Sequence, residues 1–392
     1  MASPVILSAV RTAVADAKKG ALARTPITEI AKASVAEALK RSGVDVNDID
    51  DIVLGEVMHG GGCVARYVAH DLGLPPDTPG VAVQRHCASG MQGIASAAAD
   101  IASGMTRLAV AGGAESMSQT PRTYMASPEP FGGITPWISM THPDTPEAPA
   151  MNMGITVGEN TASEAGITRE ESDHWALHSH LRAVAAIDEG RFRDEIVAME
   201  LRGRKAEVTV FDTDEHPRRD TSAQRLAALR PLFKADGTVT AGNSSSFNDG
   251  SAALVVASET YAAEHGHTPL ARIRSWAAAG VEPRRTGLAP TVAVPRALER
   301  AGLTLADVDL VEINEAFASM AVASSRALGF DHSIVNVNGG AVGLGHPVAC
   351  TGARIVVTLL HELRRRGGGI GVATMCAGGG MGYALVLEVF AA

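Results

Sequence analysis

The sequence predicts an α/β protein made of two duplicated α/β halves related by a pseudo-twofold, with a loop domain inserted into the first. Three observations predict it. The stretch VAEALKRSGVDVNDIDDIV (35–53) returns as VPRALERAGLTLADVDLVE (294–312), at a constant offset of 259 and without a gap. Each copy reads as an amphipathic helix closed by a glycine, then a short loop and an apolar strand, the arrangement of helices packed on sheets. Between the copies the pattern changes into a long stretch with little repeat character, and loops of that length are uncommon unless they bind or cover something.

The elements follow in chain order. In the first copy Leu39, Arg41, Gly43 and Asp48 stand where the second has Leu298, Arg300, Gly302 and Asp307. VAVQRHCASGMQGIASAAADIASG then reads as apolar strand, polar turn and a helix of small residues. Thr120 to Met153 is rich in proline and poor in helical periodicity. Residues 167–196 read as a helix with Thr168 as N-cap and Glu170 and Glu171 in its first turn. After the second copy come INEAF, then IVNVNGGAVGLGHPVACTGARIVVTLL as another strand, turn and helix, and finally GIGVATM leading into CAGGGMG. The expected domains are 1–117 plus 247–268, the loop domain 118–246, and 269–392.

Composition bounds the function. At roughly 150 residues per domain, 392 residues suggest two or three packed units. Hydrophobic residues make up 46% and charged residues 20%, the profile of a soluble, ordered chain. The net charge of −9 argues against a nucleic-acid or anionic-membrane partner. No apolar run approaches a membrane span and the N-terminus lacks a signal-peptide pattern, so a cytoplasmic enzyme is expected. The four cysteines, at 63, 87, 350 and 376, form no CxxC pair, so neither a structural zinc nor a disulfide framework is expected.

Four segments can carry chemistry. Adding the offset to Cys87 lands on His346, so a pseudo-twofold would bring a thiol and an imidazole together at equivalent strand-to-helix turns. Cys87 precedes a helix whose N-terminal amides and dipole favour thiolate, with Arg85 and His86 as possible cationic neighbours; the alternative is a packed core cysteine. His346 sits in GLGHP, where proline biases it to extended backbone and the glycines permit close approach; a satisfied structural histidine is the alternative. Cys376 in CAGGGMG lies where backbone N–H groups can form an anion hole, or where a Gly-rich hairpin simply turns. Asn314 and Glu315 are either a helix cap or a side-chain amide at the sheet edge where α/β sites lie.

Taken in order, RHCASGMQGI, GGAESMSQTP, TVTAGNSSSFNDGSAAL, EINEAFAS, NVNGGAVGLGHPVACTGAR and CAGGGMG resemble the thiolase family over nearly the whole chain. The resemblance implies the thiolase fold and a ping-pong acyltransferase: reversible Claisen condensation of acyl-CoA with acetyl-CoA, or CoA-dependent thiolysis of 3-ketoacyl-CoA. It implies Cys87 as acyl-accepting nucleophile, His346 as its activator and Cys376 as the second acid/base. It also implies that His346 and a water on Asn314 hold the enolate, while the N–H groups of Cys87 and Gly378 hold the acyl oxyanion. Coenzyme A enters as substrate and product, with no permanently bound cofactor and no metal. Its contacts would be Ser245, Met153 and Phe317 along the pantetheine and Arg218 near the nucleotide. Arg202, Arg204, Lys205, Arg219, Arg225, Arg230 and Lys234 form a local basic excess that suits phosphates, though half or more can be an ordinary solvated face. Partners implied are acetyl-CoA, 3-ketoacyl-CoA, CoA and further copies of the chain as homodimer or homotetramer.

The departures from the family pattern are VMHGGGCVARY in place of the usual loop after the first repeat, Thr286 where a pocket Met is common, and Asn152 where His is common. They tilt the reading slightly away from a strict two-acetyl enzyme. The competing readings are a decarboxylating ketoacyl-synthase-type enzyme, which would carry His in place of Cys376, and a non-catalytic lipid-carrier or scaffold protein.

Overall fold

In the computed structural model, which describes residues 2–60, 62–138, 140–151, 153–202 and 207–391, the two copies fold alike. The helix Ile27–Ser42 ends at Gly43 (φ 66°) and Pro290–Ala301 ends at Gly302 (φ 69°), each in the left-handed conformation that glycine adopts without a Cβ penalty. Short 3-10 turns follow at Val46–Asp48 and Leu305–Asp307, then the strands Asp51–Gly55 and Leu310–Ile313. The offset of 259 persists further along: the helices Ser89–Ser103 and Val348–Arg365 begin at equivalent positions.

One large mixed sheet joins the halves. From the seam outward, the first half runs Pro4–Thr12, Asn248–Ser258, Leu108–Ser116, Asp51–Gly55 and Val81–Val83. The second runs Ala271–Gly280, Met381–Val389, Gly369–Ala377 and Leu310–Ile313. In each half the two pairings nearest the seam strand are antiparallel and the next is parallel, so the halves share a topology. At the seam, Val5 pairs with Arg272 and Ile6 with Ala271, antiparallel. The central core combines both halves of the sheet with the helices 89–103 and 348–365, through residues such as Met91, Ile94, Ile101, Ile355 and Leu359. The opposite sheet faces are covered by helix 27–42 in the first half and by helices 290–301 and 318–328 in the second.

The central helices meet through their small residues. A Cβ at Gly90 would lie 2.7 Å from Ala349 O and 2.9 Å from Ala353 N. Gly90 and Ala349 are themselves related by the offset, so the local twofold passes between the two helix N-termini. Any larger side chain there would separate the halves.

The inserted segment is an enlarged hairpin turn. In the second half, Gly369–Ala377 returns as Met381–Val389 after only Gly378, Gly379 and Gly380. In the first half, the equivalent strands Leu108–Ser116 and Asn248–Ser258 are joined by residues 117–247. That segment carries the helices Gly154–Ala165 and Arg169–Asp188, two short hairpins, and the isolated bridges Thr145 to Ala148 and Pro231 to Thr240. Thr168 caps the second helix in a reciprocal capping box with Glu171, as its sequence predicts. That helix stops at Asp188, short of the expected end near 196, because Gly190 turns left-handed (φ 70°).

Candidate active site

The site is assembled from turns at one end of the sheet. Cys87 lies just before helix 89–103, partly exposed, after a kink in which His86 takes a φ of 45°. A β-carbon residue in that conformation is strained. Ser89 Oγ holds the kink, accepting from Arg85 N–H (2.8 Å) and donating to His86 O (2.6 Å). The thiol sits by the glycine hairpin, whose Gly378 N–H favours the thiolate form.

Two expectations about this thiol need correcting. Burial pushes the Cys87 thiol up to about 11, against the opposing pull of the Gly378 and Cys87 N–H groups, so the resting group is a thiol and not the expected thiolate. The neighbours expected to be cationic do not lower it. Burial holds His86 below the usual imidazole range, and Arg85 Nε is engaged by Gln92 Oε1 (2.8 Å). Desolvation at this depth outweighs one helix terminus.

His346 presents an imidazole with one ring nitrogen engaged and the other free. Its Nδ1 lies 2.6 Å from Thr351 Oγ1, and that hydroxyl donates its own proton to Pro347 O (2.9 Å). Thr351 Oγ1 therefore accepts, Nδ1 carries the hydrogen, and Nε2 is left as a bare lone pair. Nε2 is buried and has no hydrogen-bond partner among the described residues. Burial, then the positive charge of Arg354, push the imidazole down to about 3, which keeps it neutral.

Asn314 follows the strand Leu310–Ile313, and its backbone N–H donates to Thr374 O (3.0 Å). Both polar atoms of its side chain are buried without partners among the described residues. A buried amide normally finds partners, so an orphan pair of donor and acceptor is a ready place for a water or a substrate oxygen. Cys376 is buried with Val157 and Met320, and burial followed by the nearby Cys87 raises its thiol pKa strongly. The CAGGG run turns the hairpin between the strands Gly369–Ala377 and Met381–Val389.

Glu315 is not a helix cap. Helix Ala318–Leu328 starts at Phe317 with no side-chain cap. The carboxylate instead accepts four hydrogen bonds: from Trp175 Nε1 (2.8 Å), Ser179 Oγ (2.6 Å), Asn336 Nδ2 (2.7 Å) and Val342 N–H (3.0 Å). It thus pins the turn carrying Asn314 to the helix 169–188 and to the loop before His346.

Of the other expected residues, Met153 lies beside the same hairpin. A Cβ at Gly378 would lie 2.8 Å from Met153 Sδ, so that residue must be glycine for Met153 to cover the site. Phe317 packs against Gly158, and Ser245 donates both N–H (3.0 Å) and Oγ–H (3.1 Å) to Ala316 O. Arg218 is exposed, and its N–H donates to His180 Nδ1 (3.2 Å). Arg219 pairs with Asp188 and Arg225 with Asp220, which removes them from a free basic patch. Arg204, Lys205 and Asn152 lie outside the described residues. Cys63 donates to Gly80 O at the start of helix 64–71, and Cys350 is a core thiol in the central layer.

Sequence reasoning missed several supporting residues. Thr286 accepts from Gly380 N–H (2.9 Å) and donates to Pro283 O (2.6 Å), clipping the glycine hairpin. Asn248 accepts from His346 N–H (2.8 Å), and buried Glu115 accepts from Met58 and Ala349 N–H groups. The hints were that Asn248 and Glu115 sit inside quoted sequence blocks and that Thr286 is itself a noted departure, though its role as a clip was not read.

Residues 4–260 match the family description "Thiolase, N-terminal domain" and residues 267–389 match "Thiolase, C-terminal domain". The chain belongs to the thiolase family. It is 43% identical over 399 residues to an acetyl-CoA acetyltransferase of Pseudomonas aeruginosa, covering 99% of each chain. It is also 43% identical over 403 residues to a 3-ketoacyl-CoA thiolase of Bacillus subtilis, covering 99% of this chain and 100% of the relative. Among solved structures, the acetyl-CoA acetyltransferase of Bacillus anthracis superposes with a TM-score of 0.91 at 41% identity. Human mitochondrial 3-ketoacyl-CoA thiolase superposes with 0.92 at 38%; both comparisons cover 100% of this chain and 99% of the other. This thiolase-family chain is an acyltransferase, with the duplicated α/β fold that its repeat predicts.

Proposed function

We propose that this thiolase interconverts 3-ketoacyl-CoA plus CoA with acyl-CoA plus acetyl-CoA through an acyl-thioester on Cys87. The observation that carries the proposal is the hydrogen-bond direction at His346, which leaves a neutral imidazole with a bare, buried Nε2. His346 takes the Cys87 proton, and the thiolate attacks the thioester or ketone carbonyl. Sulfur is the fitting nucleophile, because the new bond is again a thioester, close in energy to the one broken. The N–H groups of Cys87 and Gly378 receive the oxyanion, where losing one donor typically costs about 10²–10³ in rate.

At the end of acylation Cys376 gives its proton to the departing CoA sulfur; the Cys376 thiolate so formed removes an α-proton from acetyl-CoA, and the enolate oxygen rests on the Nε2–H of His346 and a water held by Asn314. The enolate carbon attacks the acyl-Cys87 carbonyl, the C–C bond forms, and the Cys87 thiolate leaves. In thiolysis the same steps run backwards, with Cys376 protonating the departing enolate and CoA taking the acyl group.

We assign CoA to the inserted unit, residues 118–246, with Ser245, Met153 and Phe317 along the pantetheine and Arg218 towards the nucleotide. Residues 1–117 with 247–268, and 269–392, form the two catalytic halves. Self-association as homodimer or homotetramer is supported by the exposed apolar hairpin of Tyr124, Met125, Phe131 and Ile134. No helix among the described residues is long and apolar enough to cross a membrane.

The test is CoA-dependent thiolysis of 3-ketoacyl-CoA substrates of several chain lengths, with mass spectrometry of the enzyme after incubation with acetyl-CoA. Turnover, with an acyl adduct that disappears in Cys87→Ala, is expected. An adduct that persists in that variant would remove Cys87 from its role.

A further inference from the structure

Behind His346 a chain of hydrogen bonds leads into the inserted unit. His346 N–H donates to Asn248 Oδ1 (2.8 Å), and Asn248 Nδ2 donates to Ala15 O (3.1 Å). The amide orientation is forced: its oxygen must face the His346 N–H, and its nitrogen a carbonyl. The same Oδ1 accepts from Ser246 Oγ (2.6 Å). A serine hydroxyl has one proton, so Ser246 Oγ can only accept at its other contact, His216 Nδ1 (3.2 Å). Nδ1 of His216 therefore carries a hydrogen, shared with Asp16 Oδ1 at 2.8 Å.

Every step of this chain has one allowed direction, and four of its members, Asp16, His216, Ser246 and Asn248, come from three separate strands or loops. His216, Asn248 and His346 are buried. Gly345, at φ 99°, sits so close to Asn248 that a Cβ would fall 2.6 Å from its Cγ, so the backbone leading into His346 rests directly on this amide. His216 also stands two residues before Arg218, the residue on the CoA approach.

We propose that His216 is a positioning residue for the acyl-transfer reaction: through Ser246 and Asn248 it fixes the backbone of His346, and so ties the Arg218 segment to the general base. The proposal rests on the reading of His346 as base given above. A misplacement of about 1 Å at a reacting group can cost about 10²-fold, so a pin on the backbone of the base is a rate determinant without touching substrate. Its Nδ1–H is the part that matters. Asparagine can place an amide N–H where Nδ1 stands, whereas glutamine's amide reaches the Nε2 position.

The experiment compares His216→Phe, His216→Asn and His216→Gln in steady-state thiolysis and in single-turnover acylation by acetyl-CoA. For His216→Phe we expect kcat and the acylation rate to fall at least about tenfold, with KM within about twofold of the parent. His216→Asn should recover most of the rate and His216→Gln should not. Parental rates in His216→Phe, a raised KM with unchanged kcat, or equal rates in the Asn and Gln variants would each overturn the proposal. If His216→Phe fails to fold, the Asn and Gln pair decides alone. His346→Ala run alongside separates the two levels: parental acylation in that variant would sink the reading of His346 itself.

Discussion

At the scale of single residues, the chemistry rests on which atom holds each proton. Thr351 decides it for His346, since its hydroxyl is committed to Pro347 O and can only accept from Nδ1. Thr351→Val keeps the volume but removes the acceptor, freeing the imidazole to adopt the other tautomer. We expect kcat to drop by about 10²-fold with little change in KM, and a variant with parental kcat would show that the tautomer is set elsewhere. Cys376→Ser should still acylate at Cys87 yet fail to exchange the α-protons of acetyl-CoA with deuterated solvent; normal exchange would remove Cys376 as the base. Cys87, His346, Cys376 and Asn314 stand out in the sequence as candidates because each sits in a short block with a distinctive order. Thr351, Asn248 and Thr286 do not, because a hydroxyl or amide has the same letter whether it faces solvent or a catalytic ring. The raised Cys87 thiol was also beyond the sequence: a helix N-terminus is visible in the letters, whereas the depth at which it is buried is not.

At the scale of elements, the caps and turns follow local rules and the exceptions are tertiary. Thr168 and Glu171 form the capping box their spacing predicts. Thr168→Ala should lower stability by about 1 kcal/mol in urea unfolding with turnover preserved; a loss of turnover at unchanged stability would tie the cap to the site. Glu315 followed the opposite course. Its position ahead of a helix suggested a cap, but four donors from three other segments outcompete the backbone of its own helix. A carboxylate goes where it can be satisfied most fully, and only the fold reveals those donors. The glycine excess likewise resolves at this scale. Gly378 is required by Met153, Gly345 by Asn248 and Gly90 by Ala349, three close approaches between segments distant in sequence.

At the scale of the whole molecule, the halves are held by a shared core in which two central helices touch through Gly90 and Ala349. Gly90→Val forces a branched side chain into backbone 2.7 Å away, and we expect a loss of about 2–3 kcal/mol and reduced turnover. A variant as stable and active as the parent would show that the helices can separate freely. Global pH dependence belongs here too. Burial raises Glu115 and Glu312 to about 8. A raised carboxyl contributes stability that is fully present below its unfolded value of 4.5 and is lost as pH rises through about 8. His346 runs oppositely: its contribution is present above 6.5 and is lost as pH falls through about 3. Glu115→Gln should therefore flatten the fall in urea midpoint between pH 5 and 8, and an unchanged slope would place the effect in other groups.

The duplicated architecture, the insertion between equivalent strands and the equivalent positions of Cys87 and His346 were determined by the sequence itself. A repeat at constant offset survives in the letters because each copy must satisfy the same helix, glycine stop and strand. Tertiary structure alone decided the protonation of the thiol, the tautomer of the base and the partners of Asn248, Glu315 and His216. Those depend on desolvation and on hydrogen bonds between segments far apart in the chain, and neither quantity exists until the chain has folded.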